Sequence, residues 1–286
     1  MQSKLAIVVL LFKKEISDSK TLSTLLASNL NFQNCKLTVW NNGPDELSNK
    51  NLEPFILKGF EVEVIETIEN ESLAKIYNRF INTNVAQKYI VLDDDTQLND
   101  SYLGDAFSLD ESQVGIPLIL FNGKVEGPKI NYKVVQSTSD ECKNNDDILA
   151  IGSGLVIGCE VAEALKSVYK DVFDSKFYLY GVDTTFCYRL NGLKQNKNLK
   201  LLSGLNHSLS RLESEPEAIT AFRAKERGYD VGLQWRYYSP FYKSIYRLLR
   251  LALINLQRFA GLKKGPLDIH FVLKAYCLGR HYRITK

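Results

Sequence analysis

The chain has no Cys-x-x-Cys pair. Its five cysteines, at 35, 142, 159, 187 and 277, are odd in number and never closer than 17 residues. That excludes a CxxC zinc or redox site and disfavours a disulfide framework. Long apolar runs are also missing. The longest, Leu5 to Phe12, is eight residues, against the roughly 20 that span a bilayer. One lysine precedes it and no small-residue cleavage site follows, so a signal peptide is not expected and the cytoplasm is the default. There is no GxGxxG, no Walker sequence and no GxSxG, which removes the main support for dehydrogenase, kinase and hydrolase readings. Internal repeats and low-complexity tracts are absent too.

What is present is ordinary in amount and uneven in place. With 286 residues, 45% apolar and 24% charged, the chain suits one large folded domain or two unequal ones. The net charge is +3, but residues 236–286 hold 11 Lys/Arg against the single acid Asp268, giving +10 and leaving −7 on the rest. An acidic body with a basic tail implies an anionic partner for the tail.

The first third alternates strand and helix. Lys4–Leu11 is a continuous apolar run, as in a strand buried on both faces. A helical pattern follows over Ser17–Asn29 behind the capping candidates Ser17 and Asp18. Strands are expected at Lys36–Trp40, Phe60–Ile65 and Lys88–Leu92, with a helix over Glu71–Ile81. That order predicts a parallel sheet with helices on both faces. Ligands then bind beyond the carboxyl ends of the strands, where Asn41-Asn42-Gly43, the loop at Asn70 and Asp93-Asp94-Asp95 fall. Further on, Ile116–Phe121 and Ile148–Ile157 read as strands, Glu160–Tyr169 and Thr184–Leu190 as helices, and 136–147 as a polar, mobile loop.

From about Ser214 the pattern is helical. Between Pro240 and Gly261, Ile245, Leu248, Leu249, Ala252, Leu256 and Phe259 share one face, with Lys243, Arg247, Arg250 and Arg258 opposite. With Tyr237, Tyr238, Phe241, Tyr242 and Tyr246 beside it, this basic amphipathic helix fits a membrane interface. Packing on the domain with solvated basic residues is the other reading. A nucleic-acid partner is not expected, because an apolar stripe separates the charges where a stacking platform needs a charged groove.

The chemistry-bearing candidates follow from residue type. Three adjacent carboxylates after an apolar strand repel one another unless a cation or solvent surrounds them. In an extended segment Asp93 and Asp95 point the same way while Asp94 turns aside, and two hard oxygen ligands suit Mg²⁺ or Mn²⁺ held with a diphosphate. A solvated acidic turn is the alternative. Asp183 stands where it can cap the helix at Thr184 or act as a general base. His207, one of three histidines, follows a strand-like Leu199–Leu202 and could complete a metal shell. Gly152-Ser153-Gly154 permits close backbone approach to a ligand.

In order, these pieces resemble the family 2 glycosyltransferases of the GT-A fold, in particular the rhamnosyltransferase and galactofuranosyltransferase-like members that build bacterial surface polysaccharides. The resemblance covers about residues 4–211. It rests on WNNGP after the second strand, NESLAKIYNRF with Asn70 and Asn78 eight apart, YIVLDDDTQL as a DxD motif, IGSGLVIGCEV, YGVDTTFCYRL and NHSLSR. It implies an α/β GT-A fold, a Rossmann-like nucleotide-binding half with a mixed sheet, plus a C-terminal helical, basic amphipathic segment. Residues 1–98 would form the nucleotide-sugar half, 99–213 the acceptor half and 214–286 the membrane-associating region.

By the same resemblance, Asp93, Asp95 and His207 would bind Mn²⁺ or Mg²⁺. Asp183 would deprotonate the acceptor hydroxyl, with inversion at the anomeric carbon. Phe12, Asn41, Asn70, Asn78, Asp93, Asp94, Gly152, Ser153 and Gly154 would line the donor. The donor would be a UDP- or dTDP-sugar. The acceptor would be a lipid-linked saccharide in O-antigen, capsule or lipopolysaccharide-type synthesis at the anionic inner face of the cytoplasmic membrane. A soluble or protein acceptor, or a catalytically silent saccharide-binding subunit, are the alternatives. Three positions depart from the family pattern: Asn41 replaces an Asp that pairs with the pyrimidine, Ser72 replaces a Gly and narrows room near the donor, and Thr185 replaces a frequent second acid.

Overall fold

The apolar runs become the strands of one twisted sheet. The computed structural model describes residues 2–140, 142–143, 145–194, 198–207, 217–260 and 267–284. The expected division at 213/214, residues 208–211 of the NHSLSR stretch, positions 141 and 144 of the polar loop and the expected helix end at Gly261 lie outside the described residues.

The chain opens with β1 (Ser3–Leu11), a single 3₁₀ turn at Ile16–Asp18 and α1 (Lys20–Ala27). There follow β2 (Cys35–Asn41), α2 (Glu53–Leu57), β3 (Phe60–Glu66), α3 (Leu73–Thr83), β4 (Ala86–Asp93), α4 (Asp100–Ser108) and β5 (Val114–Phe121). Next come β6 (Lys124–Gly127), β7 (Lys129–Ile130), β8 (Lys133–Val134), β9 (Ile148–Leu149), β10 (Leu155–Gly158), α5 (Cys159–Tyr169), α6 (Val182–Gly192) and β11 (Leu199–Asn206). Three helices finish the described chain: α7 (Glu217–Tyr237), α8 (Phe241–Phe259) and α9 (Ile269–Leu278).

The main sheet runs β11-β5-β10-β4-β1-β2-β3, with β6 added to β5. β4, β1, β2 and β3 are parallel, as the alternation predicts, and β10 runs antiparallel to both β4 and β5. Successive residues of β1 enter opposite cores. Ala6, Val8 and Leu10 pack with α3, α5 and α6, whereas Leu5, Ile7, Val9 and Leu11 pack with α1 and α4. Each of the Leu, Ile and Val side chains contributes on the order of 2 kcal/mol on burial.

Two expectations are corrected. Helix α1 is shorter than Ser17–Asn29, and its N-cap is Ser19, whose hydroxyl accepts from Leu22 N–H, not Ser17 or Asp18. The strand expected over Ile148–Ile157 is two strands, β9 and β10. Between them Gly154 turns at φ +86°, and a Cβ there would come 2.8 Å from Leu205 and Pro117. Helix α4 has no forerunner in the sequence reading.

The helical tail is packed on the body. Tyr229 and Leu233 of α7 and Ala275 of α9 join the core above the sheet. A buried ion pair secures the seam: Arg189 Nη2 lies 3.2 Å from Asp174 Oδ2, which also accepts from the Tyr238 hydroxyl at 2.7 Å.

Candidate active site

Asp93 ends β4, level with Leu10 of β1, and the chain then turns. Clasping bonds from the start of α1 fix that turn: Ser19 Oγ donates to Asp94 O, and Thr96 N donates to Thr21 Oγ1. Asp94 swings out to Lys14, whose Nζ is 2.5 Å from Oδ1. Asp95 swings back beside Asp93. The expected convergence of Asp93 and Asp95 is therefore present, although a turn produces it and strand alternation does not.

His207 arrives from the other end of the sheet. Strand β11 pairs in parallel with β5, Gln97 N donates to Asn206 O at 2.8 Å, and His207 N donates to Leu120 O at 3.1 Å. One ligand atom from each of Asp93, Asp95 and His207 lies within 4.8 Å of the others, the only such cluster among the described residues. Thr96 Oγ1 is 2.9 Å from His207 Nδ1 and 2.6 Å from Ser153 Oγ, which accepts from Asp93 N–H at 3.0 Å. Thr96 Oγ1 can accept the Nδ1 proton. That tautomer leaves the Nε2 lone pair for a ligand.

The donor set fits a divalent cation. Asp95 Oδ1 is buried with no hydrogen bond; it lies 3.2 Å from Nδ1 but outside hydrogen-bond geometry. An orphaned buried carboxylate oxygen is costly unless something cationic meets it, and two carboxylates with one imidazole suit Mn²⁺ or Mg²⁺. The electrostatics are strained without such a charge. Burial pushes Asp93 up to about 6, with Asp95, Asp94 and Asp183 adding to it and His207 opposing, although its side chain stays 41% exposed. Burial would also lift Asp95, but His207 and Lys14 outweigh it and hold that carboxyl below its ordinary value. Burial would lower His207, and the three aspartates reverse the sign and raise it. Beside the cluster a recess of about 480 Å³ is lined by Lys14, Lys20, Asp95, Asn206, His207 and the Leu120–Gly123 turn.

Asp183 stands close by. Its pKa is raised, by burial first, against hydrogen bonds from Thr184. Tyr77 of α3 is buried near both carboxylates: burial first, then the charges of Asp93 and Asp183, raise its pKa well above the ordinary value. Gly152 lies beside Asp183, since a Cβ there would be 3.7 Å from the Asp183 Cβ. Asp183 is not the N-cap of its helix. The cap is Gly181 at φ +79°, where the Asp230 carboxylate fills the space a Cβ would need, and Asp183 is the second residue of α6.

Several expected donor contacts are employed elsewhere. Asn41 gives one amide hydrogen to Asp45 O of its own turn at 2.7 Å and the other to Glu66 Oε1 at the end of β3 at 3.0 Å, while Oδ1 accepts from Gly43 N. Asn78 is bonded through both amide atoms to the backbone of Phe173, at 2.8 and 2.9 Å, so it ties α3 to the segment before α6. Ser72 is fully buried and donates to Phe177 O. Asn70, at φ +55°, accepts the Tyr178 hydroxyl on its carbonyl and Asn42 Nδ2 on its side chain. Phe12 remains exposed after β1. Thr185 donates to Gly181 O within its helix.

Lys14, Tyr77, Thr96 and Asp230 were not foreseen. Thr96 directly follows the triple Asp and Tyr77 precedes Asn78, so proximity could have flagged both. Nothing in the sequence marks Asp230, which burial pushes up to about 7, against a Gln234 hydrogen bond and with help from Asp183.

The architecture is shared with proteins of known structure. The S. aureus TarS crystal structure aligns at a TM-score of 0.50 and 15% identity, over 82% of this chain and 44% of that one. Its 1–349 form aligns at 0.50 and 13%, over 80% and 65%. The fold is therefore GT-A, an α/β mixed sheet carrying a C-terminal helical segment. This chain spans less than half the length of the full TarS chain it matches. No family model and no curated protein matches the sequence.

Proposed function

We propose that this protein is an inverting, metal-dependent glycosyltransferase of the rhamnosyl- or galactofuranosyltransferase-like branch. It moves a sugar from a UDP- or dTDP-sugar to a hydroxyl of a lipid-linked saccharide in surface-polysaccharide synthesis. The observation that carries the reading is the Asp93–Asp95–His207 cluster, with a buried Asp95 Oδ1 that no hydrogen bond satisfies, at the carboxyl end of a GT-A sheet and next to Asp183. Asp93, Asp95 and His207 would hold Mn²⁺ or Mg²⁺, which when bound supplies positive charge against a departing diphosphate. Thr96 and Ser153 keep the imidazole and the Asp93 backbone in place. Asp183 takes the proton of the incoming hydroxyl late in attack, when that hydroxyl has become acidic, and its raised pKa suits the task. Attack from the face opposite the diphosphate inverts the anomeric carbon.

Residues 1–213 form the catalytic unit in this reading, and 214–286 place it at the anionic inner face of the cytoplasmic membrane. No helix among the described residues is long and apolar enough to cross a membrane, and the association proposed is a peripheral one. The test is thermal stability with UDP and with dTDP, each with and without Mn²⁺, on the wild type and Asp95→Asn. Ligand at 100 times its dissociation constant stabilises by about 2.7 kcal/mol. A shift that needs nucleotide and metal together, and is lost in Asp95→Asn, is expected; no shift with either nucleotide overturns the reading.

A further inference from the structure

We infer that α8 lies along an anionic lipid surface by the face turned away from α9. This deepens the membrane part of the proposed reading, on which it rests, and is independent of the chemistry at Asp183. The helix has two apolar faces, where the sequence suggests one. Ser244, Leu248 and Leu251 are buried, the leucines against Val272 of α9. At about 100° per residue, Tyr242, Tyr246, Leu249, Leu253 and Leu256 fall within an arc of about 80° on the opposite side. All five are more than half exposed. The stripe read from the sequence is thus divided: Leu248 packs inward, while Leu249 and Leu256 face solvent.

Charge decides what covers the outer face. Lys243, Arg247 and Arg250 follow Tyr242, Tyr246 and Leu249 by one residue each, so they line one flank of the arc and are exposed. Helix α8 has no acidic residue, and the single acid after residue 235, Asp268, caps α9 by accepting from His270 N–H. The spacing of the arc would also suit a two-helix seam, but a second copy would set like charges against like. An anionic bilayer takes the apolar side chains into its interface while the basic ones reach the headgroups.

The test is flotation of the full chain with phosphatidylglycerol-containing vesicles and with pure phosphatidylcholine vesicles. We expect recovery with the anionic vesicles and about tenfold less with the neutral ones. Leu249→Gln/Leu253→Gln should lose about tenfold of that recovery with an unchanged circular dichroism spectrum, since neither side chain is packed. Lys243→Gln/Arg247→Gln/Arg250→Gln should lose a similar amount. Absent recovery of the wild type, or full recovery of the leucine variant, overturns the inference. So does a lipid-free dimer in light scattering that the leucine variant dissociates, because the face would then belong to a second copy. Nucleotide-dependent melting reports separately on the active site: vesicle binding without a UDP or dTDP shift would overturn the transferase reading alone.

Discussion

Strand β1 is buried along both faces, with every residue from Leu5 to Leu11 in the core, whereas α8 is buried along one narrow face and bare on the other. The two regions differ in what holds them. The sheet is held by apolar area on both sides, so its strand ends are rigid enough to keep three ionisable groups within 4.8 Å. The tail is held by fewer apolar side chains and by polar ties: Asp174 with Arg189 and Tyr238, and the buried Glu226 beside His281, Tyr282 and Arg283. A rigid scaffold can hold repelling charges at its edge, as Asp93 and Asp95 show. A one-sided helix keeps surface for a partner.

The largest expected effect falls where the two regions meet. Asp183→Asn should cut transfer about a thousandfold while leaving donor binding by calorimetry unchanged; near-normal turnover would remove Asp183 from the mechanism. Asp174→Asn leaves Arg189 buried beside an uncharged partner and should cost about 3 kcal/mol, read as a lower urea midpoint. A loss below about 1 kcal/mol would mean that the tail is held by apolar packing alone. On the sheet side, Ser153→Ala removes the acceptor of Asp93 N–H and the partner of Thr96, and should weaken Mn²⁺ binding about tenfold without lowering the melting temperature appreciably.

A further effect is a pH dependence of stability. Asp230 is pushed up to about 7 in the folded protein, so between its unfolded value near 4 and about 7 the native state holds the extra proton. Stability should then fall as pH rises through that window, with the penalty fully present above it. Asp230→Asn should flatten this part of the slope, measured as melting temperature against pH in metal-free buffer. Asp93, pushed up to about 6, contributes the same sign on the sheet side, so the slope that survives in Asp230→Asn belongs to the site.

The parallel half was legible because a strand buried on both faces needs an unbroken apolar run, which β1 has over Leu5–Leu11 and β4 over Tyr89–Leu92, while β2 alternates apolar and polar residues as Cys-Lys-Leu-Thr-Val. Asp93, Asp95 and His207 stood out as metal-ligating residue types at or just after strand ends, and Asp183 as an acid at a helix start. The short helix α4 was not: Asp100–Ser108 has a glycine, two serines and two aspartates among few apolar residues, and it forms because Tyr102, Leu103 and Ala106 find the lower core. Asn41 and Asn78 read as ligand contacts because an amide looks the same in sequence whether it faces a base or a neighbouring peptide. Their partners, Glu66 and Phe173, come from other elements.

By itself, the sequence determined the alternation of strand and helix, the acidic turn after β4 and the basic tail, since each depends on local pattern and composition. Tertiary structure alone decided which way Asp94 and Asp95 turn, that Thr96 and Ser153 hold His207 and Asp93, and that α7 sets Asp230 against Gly181. It also decided which half of the α8 stripe is packed. The physical reason is the same in each case: a side chain's role is set by the field and packing of atoms that the fold brings from distant parts of the chain, and local sequence does not encode that distance.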